Sequence, residues 1–204
     1  FQDNSGTIDL SVSGGTLPYT FNWTGPGGPY NTEDLNGLAA GTYNVTVTDA
    51  NGCITTQSIT LTEPAELICS VNGTDLLCFQ DNSGTIDLSV SGGTLPYTFN
   101  WTGPGGPYNT EDLNGLAAGT YNVTVTDANG CVTTQSITLT EPALITSSVS
   151  GTDLLCFQDN SGTIDLSVSG GTLPYTFNWT GPGGPYNTED LNGLAAGTYN
   201  VTVT

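Results

Sequence analysis

The chain has 204 residues and a formal net charge of −19, because it carries 19 Asp and Glu residues and no Lys, Arg or His. Binding to nucleic acid or to an anionic membrane surface needs cationic side chains, so neither partner is expected. Without His or Lys, the commonest general base, the Schiff-base nucleophile and the imidazole metal ligand are missing, and we predict that the protein is not an enzyme. The sequence has no run of about 18 apolar residues, so we also predict that the chain is not embedded in a membrane.

One module is copied along the chain with a period of 78 residues. Residues 7–53 recur unchanged as residues 85–131, and the first part of the same stretch recurs again as residues 163–204. Five of the six differences between the first two copies fall within residues 66–72. A chain that repeats itself this closely gains length or multivalency, so a spacer, stalk or adhesive array is the first expectation.

The first half of each module predicts two strands and a loop. Residues 8–12 alternate apolar and polar side chains, which is typical of a half-buried strand. After a Gly-Gly and Leu-Pro break, residues 19–23 alternate again, and we expect their three aromatic side chains to face the core. The GPGGPYN sequence that follows, residues 25–31, predicts a long exposed loop.

The second half of each module predicts two further strands around a turn. Leu35 and Leu38 of a short strand are expected to point inward, and so are Ile59 and Leu61 of the closing strand. Asn-Gly before the closing strand predicts a hairpin turn, because both residues readily adopt positive φ. The predicted elements are a short strand at residues 32–38, the clearest strand at residues 41–48, the turn at residues 49–52 and the closing strand at residues 53–61.

Glu-Pro dipeptides mark the seams between modules, because Pro ends strand pairing and the variable segment follows it. Short strands at this spacing predict an all-β fold of tandem immunoglobulin-like β-sandwich repeats, arranged end to end as a fibre. The Tyr that opens the long strand is in the position of a tyrosine corner, as Tyr43, Tyr121 and Tyr199. We predict three domains: residues 1–64, a repeat lacking its first strand; residues 65–142, a complete repeat; and residues 143–204, a repeat lacking its last strand.

Two motifs occur together in this module, GGTLPYTFNW and GLAAGTYNVTVTDANGC. With them the sequence resembles the SprB repeat, found in very long cell-surface adhesins of gliding Bacteroidota that the type IX secretion system exports. The resemblance implies a sandwich of immunoglobulin-like or PKD-like type, an extracellular or cell-surface location and a role in cell adhesion. It implies no catalytic residues, and the near identity of the copies suits an extended filament as well as a gliding motility adhesin.

Five cysteines suggest disulfides, since two of them occupy fixed places in each copy. Pairing within a domain joins Cys78 to Cys131, whereas pairing across the seams joins Cys53 to Cys78 and Cys131 to Cys156. We favour the first arrangement because each domain then staples its own small core, with a contribution of about 2–4 kcal/mol. Those two cysteines could, however, lie at opposite ends of a sandwich, beyond the Cα separation of about 7 Å that a disulfide allows.

Oxygen-bearing side chains are concentrated at the turn and at the seam. Ca²⁺ takes about 6–8 oxygen ligands, so structural calcium is a candidate cofactor at these positions. No EF-hand or RTX pattern accompanies them, and the alternative is that they are ordinary turn residues, because Asp and Asn favour turns for backbone reasons. The candidate ligands are Asp49, Asn51, Glu63, Glu66 and Asp127.

The predicted function is structural or adhesive, as a repeat segment of a long extracellular surface fibre or adhesin. Its expected partners are neighbouring repeats of the same chain, with a surface polysaccharide or other fibres beyond them. One alternative is a multivalent carbohydrate-binding array, and another is a self-assembling filament subunit whose incomplete domains complete one another by strand addition. The expected contact residues of the exposed loop are Tyr30, Tyr108 and Tyr186.

Overall fold

A computed structural model describes residues 4–204, and these residues contain sixteen β-strands and no helix. The strands follow the same order in each predicted domain, and we call the three predicted domains the first, second and third modules. Among the described residues, none forms a helix long and apolar enough to cross a membrane. The first module contains β1 (Gly6–Ile8), β2 (Thr20–Thr24), β3 (Leu35–Leu38), β4 (Gly41–Thr48) and β5 (Ile54–Leu61).

The second and third modules add a strand before the counterpart of β1. These extra strands are β6 and β12, and each pairs with the strand that follows it in the chain. The second module contains β6 (Ile68–Thr74), β7 (Gly84–Ser91), β8 (Thr98–Thr102), β9 (Leu113–Leu116), β10 (Gly119–Thr126) and β11 (Val132–Leu139). The third contains β12 (Thr146–Thr152), β13 (Gly162–Ser169), β14 (Phe177–Thr180), β15 (Leu191–Leu194) and β16 (Asn200–Val203).

Each module has two sheets. In the second module the strand orders are β6-β7-β9 and β11-β10-β8, so both sheets contain strands that are distant in sequence. The first module has the orders β1-β3 and β2-β4-β5, and the third has β12-β13-β15 and β14-β16. Neighbouring strands run antiparallel, as β4 does with β5 and β12 with β13. The predicted strands are all present in the second module, whereas in the first module residues 9–12 of the predicted first strand lie outside β1, and the described residues of the third module contain no counterpart of β5.

The two sheets of the first module share one core around Trp23. This indole is 2% exposed, and its N–H donates a 2.9 Å hydrogen bond to the carbonyl of Thr32. Burying a large apolar side chain stabilises a fold by about 1.5–3 kcal/mol, so the central Trp fixes how the sheets face each other. The prediction of tandem immunoglobulin-like β-sandwich repeats is confirmed. Around Trp23 pack Ile8, Leu35 and Leu38 from one sheet and Tyr43, Val45 and Val47 from the other.

The chain divides into two compact units. The first unit contains the chain up to Cys69 together with Val90–Thr98 and Val125–Thr133, and the second unit contains Ser70–Ser89, Phe99–Thr124 and Thr134–Thr204. Boundaries at residues 64 and 142 stay predictions.

The prediction for Ile59 was wrong, because this side chain is 44% exposed in the closing strand of the first module. Its counterpart in the second module, Ile137, is half-buried. There Gly73 of β6 lies so close that a Cβ built on it would be 2.7 Å from the Ile137 side chain. The closing strand alone does not decide whether this position is buried, since β6 supplies the cover.

Candidate junction site between modules

The Asp after the long strand organises the turn that begins the site. Asp49 accepts hydrogen bonds at Oδ1 from the backbone N–H groups of Asn51 (2.9 Å) and Cys53 (2.8 Å), and at Oδ2 from that of Thr16 (3.0 Å). The Asn51 amide also donates to the hydroxyl of Thr16 over 2.9 Å. The DANG turn is thus bonded to the segment after Gly14-Gly15, and Asp127 makes the same three bonds in the second module.

These hydrogen bonds lower the pKa of both aspartates. For Asp49 the backbone N–H groups of Cys53 and Thr16 are the main cause of a pKa below the usual value. For Asp127 burial acts to raise the pKa, but the N–H groups of Thr94, Cys131 and Asn129 outweigh it, and the pKa is lowered. Both side chains are therefore carboxylates that accept backbone hydrogen bonds at neutral pH.

The Gly pair beside this turn receives the segment that leads into the second module. The Gly93 N–H donates a 2.7 Å hydrogen bond to the carbonyl of Ala65. A Cβ built on Gly92 would lie 1.8 Å from the carbonyl oxygen of Glu66, so only glycine leaves room for this chain. Leu67 follows, with 7% of its surface exposed. We call Gly14-Gly15 and its two counterparts the Gly-Gly notch, and residues 64–67 and 142–145 the linker segments.

The third module repeats this arrangement with a linker of different sequence. The Gly171 N–H donates to the carbonyl of Ala143, again over 2.7 Å. A Cβ on Gly170 would be 2.0 Å from the carbonyl oxygen of Leu144, and Ile145 packs against Gly171. Because the contacts to residues 66 and 144 are made by their backbone, Glu and Leu are both accommodated there. The notch therefore contacts the linker backbone and one apolar side chain, that of Leu67 or Ile145.

In the first module the same notch is an open cavity of about 190 Å³. Gly14 has no atom within 4 Å of a built Cβ, whereas its counterpart Gly92 is in contact with the linker. Asp49 is half-buried here, although Asp127 in the second module is only 5% exposed. Identical sequence therefore has an open notch in one module and a filled one in the next. The cavity is lined by residues that include Val12, Gly14, Gly15, Tyr19, Cys53 and Ile54.

A second cavity, of about 330 Å³, lies beside the first linker segment. It brings Glu63 and Asp127 to one site, together with Asn129, the counterpart of Asn51. Glu66 is exposed, and neither it nor Asp49 lines this cavity. Within residues 4–204, no group of three or more Cys, Asp or Glu side chains has an arrangement that could hold a metal ion. Binding of structural calcium by the candidate ligands stays a prediction.

The SprB repeat family matches residues 1–28, 70–106 and 148–184, which together make up half of the chain. The chain belongs to the SprB repeat family. Each matched segment of 37 residues runs from the strand before FQDNSG to the GPGG loop, and so contains the Gly-Gly notch. Among curated proteins, none matches the sequence.

Two solved structures are similar to this SprB repeat chain. The amphioxus IgVJ-C2 molecule is 16% identical, with a TM-score of 0.34, and the alignment covers 69% of this chain and 98% of that one. A structure that describes the structural basis for Dscam isoform specificity is 10% identical, with a TM-score of 0.31, and the alignment covers 91% of this chain and 61% of that one.

The GPGGPYN loop of the SprB repeat folds back instead of extending. Tyr30 and Trp23 exchange backbone hydrogen bonds of 2.9 and 3.2 Å, and the Tyr30 hydroxyl donates to the carbonyl of Pro26. The Tyr30 ring is half-buried, 6.3 Å from the ring of Tyr43. Residues 26–29 of the predicted loop are exposed, whereas Tyr30 is held against the sandwich, and a contact role for the loop tyrosines stays a prediction. Tyr108 and Tyr186 have the same surroundings.

The tyrosine corner predicted for the SprB repeat has the expected hydrogen bond. Tyr43 is fully buried, and its hydroxyl donates to the carbonyl of Ala39 over 2.9 Å. Burial raises the pKa of this phenol, and the neighbouring Tyr30 raises it further. The tyrosine therefore stays protonated and keeps its donor.

Residues 4–204 contain no disulfide, so both predicted pairings stay predictions. Cys131 directly precedes β11, while the turn that contains Cys78 is bonded from the Gln80 N–H to Glu141, just after β11 ends. A bond between Cys78 and Cys131 would have to bridge an eight-residue strand, roughly 27 Å at about 3.4 Å per residue. The objection that they lie at opposite ends of a sandwich therefore stands. Cys53 and Cys156, the other candidate partners, are exposed.

Sequence reasoning missed the Gly-Gly notch as a site. It treated Gly14-Gly15 as a break between two strands, which is the ordinary meaning of such a pair. The signal that was available is that Gly-Gly is retained in all three copies while the linker segment varies. A position that needs glycine beside a variable partner indicates close approach of two backbones.

Proposed function

We propose that the chain is a structural and adhesive segment of a long extracellular surface fibre or adhesin, in which the fixed succession of modules is the function. The observation that carries this proposal is that two linkers of different sequence dock in the same way. Both accept a 2.7 Å hydrogen bond from the second Gly of the notch. A repeat chain whose linkers dock on the next module gains defined length, and its partners are first of all its own neighbouring repeats.

The charge and the family support the cellular setting of this proposal. A chain with 19 acidic and no basic residues repels itself and its copies, which favours solubility outside the cell. Membership of the SprB repeat family points to the cell surface, and export by type IX secretion and a part in gliding motility are proposals of the same origin. The protein is proposed to act without catalysis.

The experiment is low-dose electron microscopy of the intact protein, analysed for the axial rise per module. Strands of about 8–10 residues at about 3.4 Å each, plus a short seam, give an expected rise of about 35–45 Å. Compact particles without a regular rise would contradict the proposal. A Gly92→Ala variant should lose regularity at one seam, because its Cβ would displace the linker.

A second candidate function, a filament subunit completed by strand addition, is favoured by one comparison within the chain. The octapeptide GTIDLSVS forms strands of eight residues in β7 and β13, where β6 and β12 lie beside it. In the first module the same octapeptide forms only the three-residue strand β1, which has β3 as its partner. The sequence therefore extends as a strand where a partner strand is supplied. Carbohydrate binding has no comparable observation in its favour.

A further inference from the structure

We infer that the outward face of the sheet β2-β4-β5 is a lateral contact surface for a second copy of this chain, and that β8-β10-β11 repeats it. The inference deepens the fibre proposal, on which it rests, by naming the partner and the surface through which two fibres lie side by side. The face consists of the even-numbered residues of the three strands, which are seven Thr, two Asn, one Ser and one Ile. We call it the threonine face.

The register of the strands arranges these side chains in rows. Asn22 lies opposite Thr46, and Thr46 lies opposite Thr56, so three hydroxyl or amide side chains cross the sheet on the side away from the core. Successive rows are about 7 Å apart along the strands. Nine of the eleven residues are exposed, and the two half-buried ones, Thr46 and Thr48, lie in the central strand. The rows therefore form a continuous polar surface.

The threonine face has no charged side chain, although the chain has 19 acidic residues. The strands β8, β10 and β11 of the second module contain no Asp or Glu either. The outward face of the other sheet differs, because Asp87 of β7 is exposed there, as are its counterparts Asp9 and Asp165. Charge is thus absent from the outward face of one sheet and present on that of the other.

The charge of the chain restricts which surfaces two copies can bring together. A carboxylate buried between them would have no cationic partner, because the chain has no Lys, Arg or His, and burying an unpaired charge is strongly unfavourable. A contact between copies must therefore use uncharged surface. Thr and Ser hydroxyls and Asn amides both donate and accept hydrogen bonds, so the threonine face is complementary to itself. A two-fold contact between identical chains requires this property.

The size of the face indicates how strong the contact is. Three strands about 4.8 Å apart and about 27 Å long give roughly 400 Å² per module. A stable interface buries about 800 Å² per partner, so it needs the threonine faces of two modules. Ile54 at one end of the face is 66% exposed, and its counterpart Val132 is 58% exposed, which adds an apolar contact. The contact is therefore weak for one module and gains strength by repetition.

Sedimentation equilibrium of the intact chain measures this association, with EDTA present so that no divalent cation bridges carboxylates. The weight-average mass should rise from 21.0 kDa toward twice that value as the concentration increases. Association should strengthen at least about threefold between about 0.1 and 1 M NaCl, because the Debye length falls from about 10 Å to about 3 Å and the repulsion between copies is screened. Association that weakens with salt would overturn the inference.

The variant that tests the face is Asn44→Asp combined with Asn122→Asp. It adds one charge to the threonine face of each of two modules with almost no change of shape, and it lies in the central strands β4 and β10. Association should fall at least about tenfold, because the new carboxylates would be buried without a cation. The matched control is Asn36→Asp with Asn114→Asp, which adds the same charge at exposed positions of β3 and β9 and should change association less than about twofold. Circular dichroism melting checks that both variants are folded.

Photo-cross-linking identifies the surface in contact. A diazirine side chain at residue 54 should give intermolecular products on β2, β4 or β5, or on β8, β10 or β11. Products confined to other strands, no association at millimolar chain in high salt, or equal association of both variants would each overturn the inference. Electron micrographs should show fibres in side-by-side pairs. Single fibres with a regular axial rise would remove the lateral contact and leave the fibre function standing, whereas paired particles without a regular rise would do the reverse.

Discussion

Gly93 donates a 2.7 Å hydrogen bond to the carbonyl of Ala65, and this bond joins the linker segment to a turn of the second module. The neighbouring Gly92 has no room for a side chain, because a Cβ would lie 1.8 Å from the carbonyl oxygen of Glu66. The third module repeats both features with Gly171 and Gly170. One dipeptide thus combines a hydrogen-bond donor with a close backbone approach.

We predict that Gly92→Ala destabilises the chain more than Gly14→Ala does. Both glycines have a positive φ, 74° and 81°, so the backbone strain of adding a Cβ is similar, about 1–2 kcal/mol. Only Gly92 has the linker above it, and the overlap should cost a further 1–3 kcal/mol or so. Urea unfolding of the two variants measures the difference in free energy of unfolding. Equal losses would mean that the docked linker contributes nothing to stability.

The strands were predictable from sequence where one sheet face is buried locally. Residues 41–48 alternate, and β4 spans Gly41–Thr48 with Tyr43 buried at its start. The features that were predicted wrongly or missed depend on a strand from another part of the chain. Ile59 is exposed in a module whose described residues contain no counterpart of β6, and there GTIDLSVS forms only the three-residue strand β1. The alternation of apolar and polar residues shows which face of a strand is apolar, but it does not show which partner strand is present.

Acid should destabilise the protein through its turn aspartates. The pKa values of Asp49, Asp127 and Asp81 are lowered from 3.8, the last mainly by the hydroxyl of Ser83. A carboxyl whose pKa is lower in the folded than in the unfolded state binds fewer protons when folded. Its contribution to the stability of the fold is therefore present above the unfolded pKa and is lost as pH falls below about 4. Melting temperature measured from pH 7 to pH 2 should fall steeply below that point.

The variant that isolates this effect is Asp127→Asn, which keeps an oxygen acceptor but cannot titrate. It should melt below the wild type at pH 7 and show a smaller loss at pH 2. If the variant and the wild type lose the same melting temperature over this range, hydrogen bonding to Asp127 is not a source of the acid sensitivity.

Tyr121→Phe should destabilise the second module and reduce its sensitivity to alkali. The Tyr121 hydroxyl donates to the carbonyl of Ala117 over 2.9 Å, and its loss should cost about 1–3 kcal/mol because a partly buried carbonyl loses its donor. Burial, and then the neighbouring Tyr108, raise the pKa of this phenol above 10.0. Its contribution is therefore present below pH 10 and is lost as pH rises further.

Urea unfolding at pH 7 and pH 11 measures both effects. The wild type should lose more stability than Tyr121→Phe between the two values. A Tyr97→Phe variant is the control, since Tyr97 donates to the carbonyl of Gly92 in the notch and lies outside the corner. The same alkaline loss in Tyr121→Phe and the wild type would contradict the assignment.

Calcium removal tests the one cofactor predicted from the sequence. Glu63 and Asp127 line the 330 Å³ cavity, and a bound Ca²⁺ there would stabilise the folded chain by mass action. The calcium hypothesis predicts that EDTA lowers the melting temperature of the wild type but not of Glu63→Gln, which has lost one oxygen charge. Glu66→Gln is the matched control, because Glu66 is exposed and outside the cavity, so its variant should still respond to EDTA. If EDTA leaves the wild-type melting curve unchanged, the acidic residues serve to form turns instead. Asp127 does so by accepting hydrogen bonds from the backbone N–H groups of Thr94 and Cys131.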